Sequence, residues 1–100
     1  MLSRNRRPTP PGEILRHEFL EPLGLSQKEL AGALGITRVR LSAILRGKRA
    51  ITPDTAFRLA RLFDTTPEFW LGLQTDLNLW DTLQIHVEEY ERIKPIRTVG

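Results

Sequence analysis

The stretch SQKELAGALGITRVRLSAILRG, residues 26–47, decides the fold because it carries the start and stop signals of two short helices. Ser26 and Glu29 have the spacing of a capping box, which predicts a helix beginning at Gln27. Gly35 follows where helices commonly end in a left-handed residue. The stretch therefore predicts a first helix, a tight turn and then a second helix.

The second helix is predicted to begin after Thr37, whose hydroxyl can cap it, and to end at Gly47. Ala31 is small enough to let the two helices approach closely where they cross. Apolar residues fall at helical spacing on one face of each helix and are expected in a core: Leu30, Ala31, Leu34, Leu41, Ile44 and Leu45. Two helices at this spacing indicate a DNA-binding helix-turn-helix, whose second helix lies in the major groove.

The charges of the chain are segregated although the net charge is only +3. Residues 1–50 carry ten Lys or Arg against four Asp or Glu, and residues 51–100 carry five against eight. Five cations and no acid lie within residues 38–49. Such a block favours a polyanionic partner over a merely solvated face.

The remaining start signals predict an all-α fold of five helices. A first helix is expected over about 11–21, ended by Glu21-Pro22. Thr52-Pro53-Asp54 and Thr66-Pro67-Glu68 each combine an N-cap, a proline at N1 and an acid near the dipole. The fifth helix is expected to reach about Leu83, with some helix in the tail through about Arg92. We predict a flexible basic arm over 1–10, a domain over 11–83 and a partly helical extension over 84–100.

Several classes of protein are disfavoured. The sequence has no apolar run of membrane-spanning length, no signal-peptide pattern and no cysteine, so a cytoplasmic location is expected. His17 shares a helix face with Glu13 and Glu21, a pattern that more often marks a surface charge ladder than a metal or catalytic site. No phosphate loop or nucleophile–base set accompanies it. We expect no enzyme activity, no metal and no cofactor.

The chain resembles the HigA-type antitoxins, a branch of the lambda-repressor-like helix-turn-helix regulators. The likeness covers roughly residues 7–83 and is carried by RPTPPGEILRHEFLEPLGLSQKELA, LGITRVRLSAILRGKRAITPDTAFRLA, FDTTPEFWLGLQ and DLNLW. The resemblance implies a dimer that binds its own operator and neutralises a HigB-type toxin, a ribosome-dependent mRNA ribonuclease.

Within the helix-turn-helix, residues on the N-terminal and outward faces of the second helix are expected to meet base edges: Thr37, Arg38, Val39, Ser42 and Ala43. Arg38 is the best candidate for base readout because its planar fork matches guanine, although a simple phosphate contact is the alternative. Val39 is expected to touch a thymine methyl. Backbone phosphates are assigned to a second set: Gln27, Lys28, Arg40, Arg46, Lys48 and Arg49.

The fifth helix has more apolar surface than packing alone needs. We therefore assign a dimer interface to Trp70, Leu73, Leu77 and Trp80, with Leu79 beside them, against the alternative of a stripe used only in the core. Two subunits would fit a near-palindromic operator with half-sites about 34 Å apart. The arm residues Arg4, Arg6 and Arg7 are left with three roles: contacting DNA, contacting the toxin, or solubilising the arm.

The residue patterns predict a sequence-specific DNA-binding protein, and the resemblance implies an antitoxin that represses its own operon. Two alternatives stay open. One is a stand-alone transcriptional regulator without a toxin, and the other is a protein-interaction module that does not bind DNA.

Overall fold

The computed structural model describes residues 6–97 and confirms the all-α, five-helix prediction. Helix α1 (Pro11–Leu15) runs directly into a π-helical turn (Arg16–Leu20). It is followed by α2 (Gln27–Leu34), α3 (Arg38–Leu45), α4 (Pro53–Phe63) and α5 (Pro67–Glu91). No β-strand occurs between residues 6 and 97.

Four helices begin at the capping residues predicted from the sequence. Ser26, Thr37, Thr52 and Thr66 each accept a hydrogen bond from the main-chain N–H three residues later, at 3.0–3.3 Å. Ser26 also donates its main-chain N–H to the Glu29 carboxylate at 2.9 Å, which completes the capping box. These bonds satisfy main-chain donors that have no partner within the helix.

The first helix departs from the prediction in its second half. The main-chain N–H of Glu21 bonds to the carbonyl oxygen of Arg16, five residues earlier, at 2.9 Å. The helix ends at Leu20, one residue before the predicted end at about Glu21, and Pro22 lies in the turn that follows. The periodicity of side chains over five residues does not distinguish a π-helical turn from an α-helical one, so the sequence had no signal for it.

The core lies between α1, α2, α3, α4 and the first half of α5, and an aromatic cluster fills one end of it. The ring of Trp70 is fully buried, with its centroid 5.2 Å from that of Phe19 and 5.0 Å from that of Phe69. Its indole N–H donates to the hydroxyl of Thr65 at 2.8 Å. Because a fully buried ring presents no surface, the assignment of Trp70 to a dimer interface is wrong.

Gly12 allows α1 to lie against the end of α3. A β-carbon built on Gly12 would collide with the carbonyl oxygen of Ile44 and would lie 2.9 Å from that of Leu45. Position 12 therefore requires a glycine because the backbone of α3 approaches it closely. This contact fixes where the N-terminal segment runs relative to α3.

Helix α5 is a single rod of 25 residues whose C-terminal half extends away from the body. The described chain measures 54 × 28 × 21 Å as a result. The helical part of the tail ends at Glu91, one residue short of the predicted limit at about Arg92. Among residues 6–97, no helix has the length and apolarity needed to cross a bilayer.

Candidate nucleic-acid interface

A shallow groove lies between the start of α2 and the outward face of α3. It has a volume of about 370 Å³ and is lined by Gln27, Arg38, Val39, Ser42 and Arg46. Arg38 and Ser42 of α3 and Arg46, the residue directly after α3, recur every four positions and so form one ridge. The structure therefore brings together residues of both predicted sets, from α2 and from α3.

The two sides of α3 differ sharply in exposure. Val39 is 80% exposed, whereas Leu41, Ile44 and Leu45 are buried in the core as predicted. The apolar side of the helix thus anchors it, and the other side is left with cations and small side chains. Within residues 6–97, no carboxylate forms a described ion pair with Arg38 or Arg46; Arg46 Nε donates only a long bond of 3.4 Å to the carbonyl oxygen of Ser42.

The other predicted contact residues surround this groove. Thr37 is exposed at the N-terminus of α3, where its hydroxyl caps the helix, and Ala43 is half-buried. Lys28 is exposed on the first turn of α2. Lys48 and Arg49 are exposed after α3, in a turn that Gly47 makes possible with a φ of 73°.

Arg40 is the exception among the predicted phosphate ligands. Its guanidinium donates to the carboxylate of Asp54 at 3.0 Å and to the hydroxyl of Thr55 at 2.7 Å. The side chain is only 26% exposed. Because an arginine committed to α4 is not free to reach a phosphate, we withdraw Arg40 from the predicted DNA-binding set.

Asp54 links three helices, a role that sequence reasoning missed. Besides Arg40 of α3, it accepts a bond of 2.9 Å from Arg58, which in turn donates to the carbonyl oxygen of Leu34 at the end of α2. Hydrogen bonds from Arg40 and then Arg58 hold the pKa of Asp54 below its ordinary value. The pairing of Asp54 with Arg58 could have been predicted from the sequence, because the two residues are four apart and so share one face of α4.

The pKa of the carboxylate of Glu29, which caps α2, is lowered by hydrogen bonds as well. Hydrogen bonds from the main-chain N–H and the hydroxyl of Ser26 lower the pKa of Glu29. The N-terminus of α2 is therefore fixed where it lines the groove. His17, by contrast, lies outside this surface and pairs with Glu21 at 3.1 Å on the exposed side of the first helix.

The predicted dimer residues on α5 divide into two groups. Trp70 and Leu77 are buried within the chain, and Leu73 is half-buried against the core. Trp80 is half-buried, and its indole N–H has no hydrogen-bond partner among residues 6–97. Leu79 is 50% exposed. Leu77 is thus also an incorrect assignment, and the surface available to a partner on α5 begins near Leu79 and Trp80.

Comparisons with known proteins agree with this geometry. The model of the family described as Helix-turn-helix matches residues 17–70. The chain is 43% identical to the HTH-type transcriptional regulator YbaQ of Escherichia coli K12, over all of this chain and 88% of YbaQ. It is 42% identical to antitoxin HigA-1 of Vibrio cholerae, over 96% of this chain and 90% of HigA-1.

A solved structure is similar over nearly the same length. The Pseudomonas aeruginosa antitoxin HigA, determined with the higBA promoter, superposes with a TM-score of 0.86 at 38% identity. The match covers 91% of this chain and 100% of that one.

Proposed function

Since the chain belongs to the helix-turn-helix family, and within it to the HigA-type antitoxins and their relatives, we propose that it binds operator DNA in its own promoter and represses it. The family comprises DNA-binding regulators and antitoxins, and its members are not enzymes. The observation that carries the proposal is the groove in which Gln27 of α2 meets Arg38 and Ser42 of α3 and Arg46 at the C-terminal end of that helix. An exposed cationic ridge on one helix suits the major groove, which is about 12 Å wide and admits an α-helix.

Base readout falls to the outward face of α3. Arg38 donates from its fork to guanine O6 and N7, and the exposed Val39 contacts a thymine methyl. Thr37, Ser42 and Ala43 complete the surface that follows the base edges. The side chains need no rearrangement of the core for this, because their helix is anchored by its opposite face.

Phosphate contacts position the helix without reading the sequence. Gln27 and Lys28 hold a phosphate at the N-terminus of α2, where free N–H groups and the helix dipole favour an anion. Arg46, Lys48 and Arg49 contact the backbone beyond the other end of α3. With two subunits, about six to ten such contacts give an affinity that falls steeply with salt.

The chain acts as a homodimer, because one helix-turn-helix contacts too few base pairs to select an operator. The two subunits meet through the exposed part of α5 around Leu79 and Trp80, with Leu73 at the margin. The exposure of Leu79 beside the half-buried Trp80 supports this. Two-fold symmetry then places the half-sites about 34 Å apart.

The second partner is a toxin of the HigB type, an mRNA ribonuclease, which the chain neutralises by binding in the cytoplasm. This step is supported by the similarity to antitoxin HigA-1 and to the HigA structure. Repression of the shared operon follows when the dimer occupies a promoter-overlapping site and excludes polymerase.

A mobility-shift titration with DNA from the region upstream of the chain's own gene tests the DNA-binding proposal. We expect a complex that survives an excess of a scrambled duplex of the same composition. Equal affinity for both duplexes would contradict operator recognition. Absence of binding to either duplex would favour the interaction module that does not bind DNA.

A stand-alone regulator without a toxin is the second candidate, favoured by the similarity to the transcriptional regulator YbaQ along the whole chain. Co-expression separates the two functions. An antitoxin restores growth to cells that express the neighbouring small open reading frame, whereas a stand-alone regulator has no such frame to neutralise.

A further inference from the structure

One face of α5 holds the segment that follows α3. Gln74, Asn78 and Asp81 lie four and three residues apart and so share that face. Gln74 accepts the main-chain N–H of Ile51 at 2.8 Å and donates to Asn78 at 2.9 Å. The C-terminal end of the turn that carries Lys48 and Arg49 is thereby hydrogen-bonded to α5.

The same face holds the segment that precedes α1. Arg7 donates from Nε to Oδ1 of Asp81 at 2.8 Å and from Nη2 to Oδ2 at 2.9 Å. A bidentate pair of this kind fixes orientation as well as distance. Both side chains are nearly half exposed, so the pair adds little to the stability of the fold. Its effect is to fix the position of the N-terminal segment.

These two segments meet at one cleft of about 230 Å³, lined by Arg7, Lys48 and Arg49 together with the polar face of α5. Arg46 of the DNA-binding groove directly precedes Gly47 and Lys48 of the cleft in the sequence, so one short stretch of chain links the two sites. Arg6 stands one residue before the bidentate pair, is exposed and has no described ion pair within residues 6–97. Arg4, the other cation of the arm, lies outside the described residues.

We infer that Asp81 is a positioning residue for DNA binding: by holding Arg7, it places Arg6 beside Lys48 and Arg49 to bind a backbone phosphate beyond the recognition helix. The charge of Arg7 is neutralised by Asp81, so Arg6 makes the contact. The inference rests on the proposed function and deepens it. It assigns the arm to DNA, since Lys48 and Arg49 of this corner are exposed and have no described ion pair within residues 6–97, and phosphate is the anion that the neighbouring groove is proposed to bind.

The direction in which the DNA affinity changes when the Asp81 carboxylate is removed separates this role from simple electrostatics. Removing a carboxylate near DNA reduces repulsion and should raise the affinity if Asp81 has no positioning role. Loss of the Arg7 anchor should instead free the arm and lower the affinity. Asp81→Asn therefore distinguishes the two, and Glu88→Gln is its control because it removes the same charge from the same helix outside this cleft.

The experiment is a fluorescence-anisotropy titration of the full chain with its promoter duplex at salt concentrations from about 50 to about 200 mM. One lost phosphate contact per subunit lowers the salt slope by about 0.9, or about 1.8 for a dimer. Between the lowest and the highest salt concentration, the affinity of the parent chain should therefore fall by a factor about twelve times larger than the affinity of Asp81→Asn does. Asp81→Glu should restore most of the slope, and Glu88→Gln should leave it unchanged.

Arg6→Gln provides an independent variant that alters no described contact of the fold. It should reduce the slope by the same amount without changing the melting temperature. An unchanged slope in both Asp81→Asn and Arg6→Gln would overturn the inference, even though operator binding by the parent chain stood. Unchanged DNA binding with weakened toxin binding would assign the arm to protein, and failure of the parent chain to bind would instead overturn the proposed function.

Discussion

Arg58 donates a hydrogen bond of 2.9 Å to the carbonyl oxygen of Leu34 and so joins α4 to the end of α2. The carbonyl groups at a helix C-terminus have no partner within the helix, and this arginine supplies one. Through Asp54, the same guanidinium is linked to Arg40 of α3. The angle between the two helices of the DNA-binding motif is therefore held from outside the motif.

Replacement of Arg58 by methionine tests this link. We expect Arg58→Met to lower the free energy of unfolding by about 1–2 kcal/mol, near the lower end for charged hydrogen bonds because the side chain is partly exposed. Arg61→Met is the matched control, since Arg61 is exposed on the same helix and should cost less than about 0.5 kcal/mol. Urea denaturation of both variants measures the difference, and equal stabilities would show that the link is unimportant.

The Asp54 network also predicts a pH dependence of stability. The pKa of Asp54 in the folded chain is lowered from its ordinary 3.8 by Arg40 and Arg58, so its contribution is complete above that pH. The contribution is lost as the pH falls through the lowered pKa. We expect Asp54→Asn to be less stable than the parent chain at about pH 6, and the difference to shrink as the pH falls below 3.8. A stability difference that does not shrink with acidification would contradict the assignment.

The contact of Gly12 with α3 predicts opposite effects of the same substitution at two glycines. Gly12→Ala should cost about 1–3 kcal/mol, because the new methyl group meets main-chain atoms of Ile44 and Leu45. Gly72→Ala should instead stabilise by roughly 0.5–1 kcal/mol, since the site lies inside α5 with open space around it. Thermal unfolding followed by circular dichroism measures both, and destabilisation at the two sites alike would refute the packing argument.

The dimer surface proposed on α5 makes a prediction for Leu79. Leu79→Glu should weaken self-association about tenfold or more, because it places a charge in an apolar contact. Phe57→Ser is the control, since Phe57 is still more exposed but belongs to α4. Sedimentation equilibrium gives the two dissociation constants. Weaker association in the Phe57 variant alone would move the interface to α4.

Features of the structure could be predicted from the sequence where they depend on residues close together in the chain. The caps at Ser26, Thr37, Thr52 and Thr66 and the left-handed Gly35 were predictable, because each signal and its partner lie within a few residues. The buried face of α3 was predictable from periodicity. The expected groove residues could likewise be placed by counting along two helices.

Features that join distant segments were not predictable. The pairing of Arg40 with Asp54 withdrew one expected phosphate ligand, and its partner lies 14 residues away. Trp70 and Leu77 were assigned to an interface because an apolar stripe does not reveal whether its own core or another subunit covers it. The pairing of Arg7 with Asp81 spans 74 residues and depends on how α5 lies across the domain.

The most direct test of the account is the base preference of Arg38→Ala. Affinities for the promoter duplex and for each single-base variant of a half-site should be measured at one fixed salt concentration. We expect the variant to lose roughly 1–3 kcal/mol of discrimination at one guanine, while Lys28→Ala weakens binding to all duplexes alike. If Arg38→Ala keeps the full base preference of the parent chain, α3 does not read the operator as described.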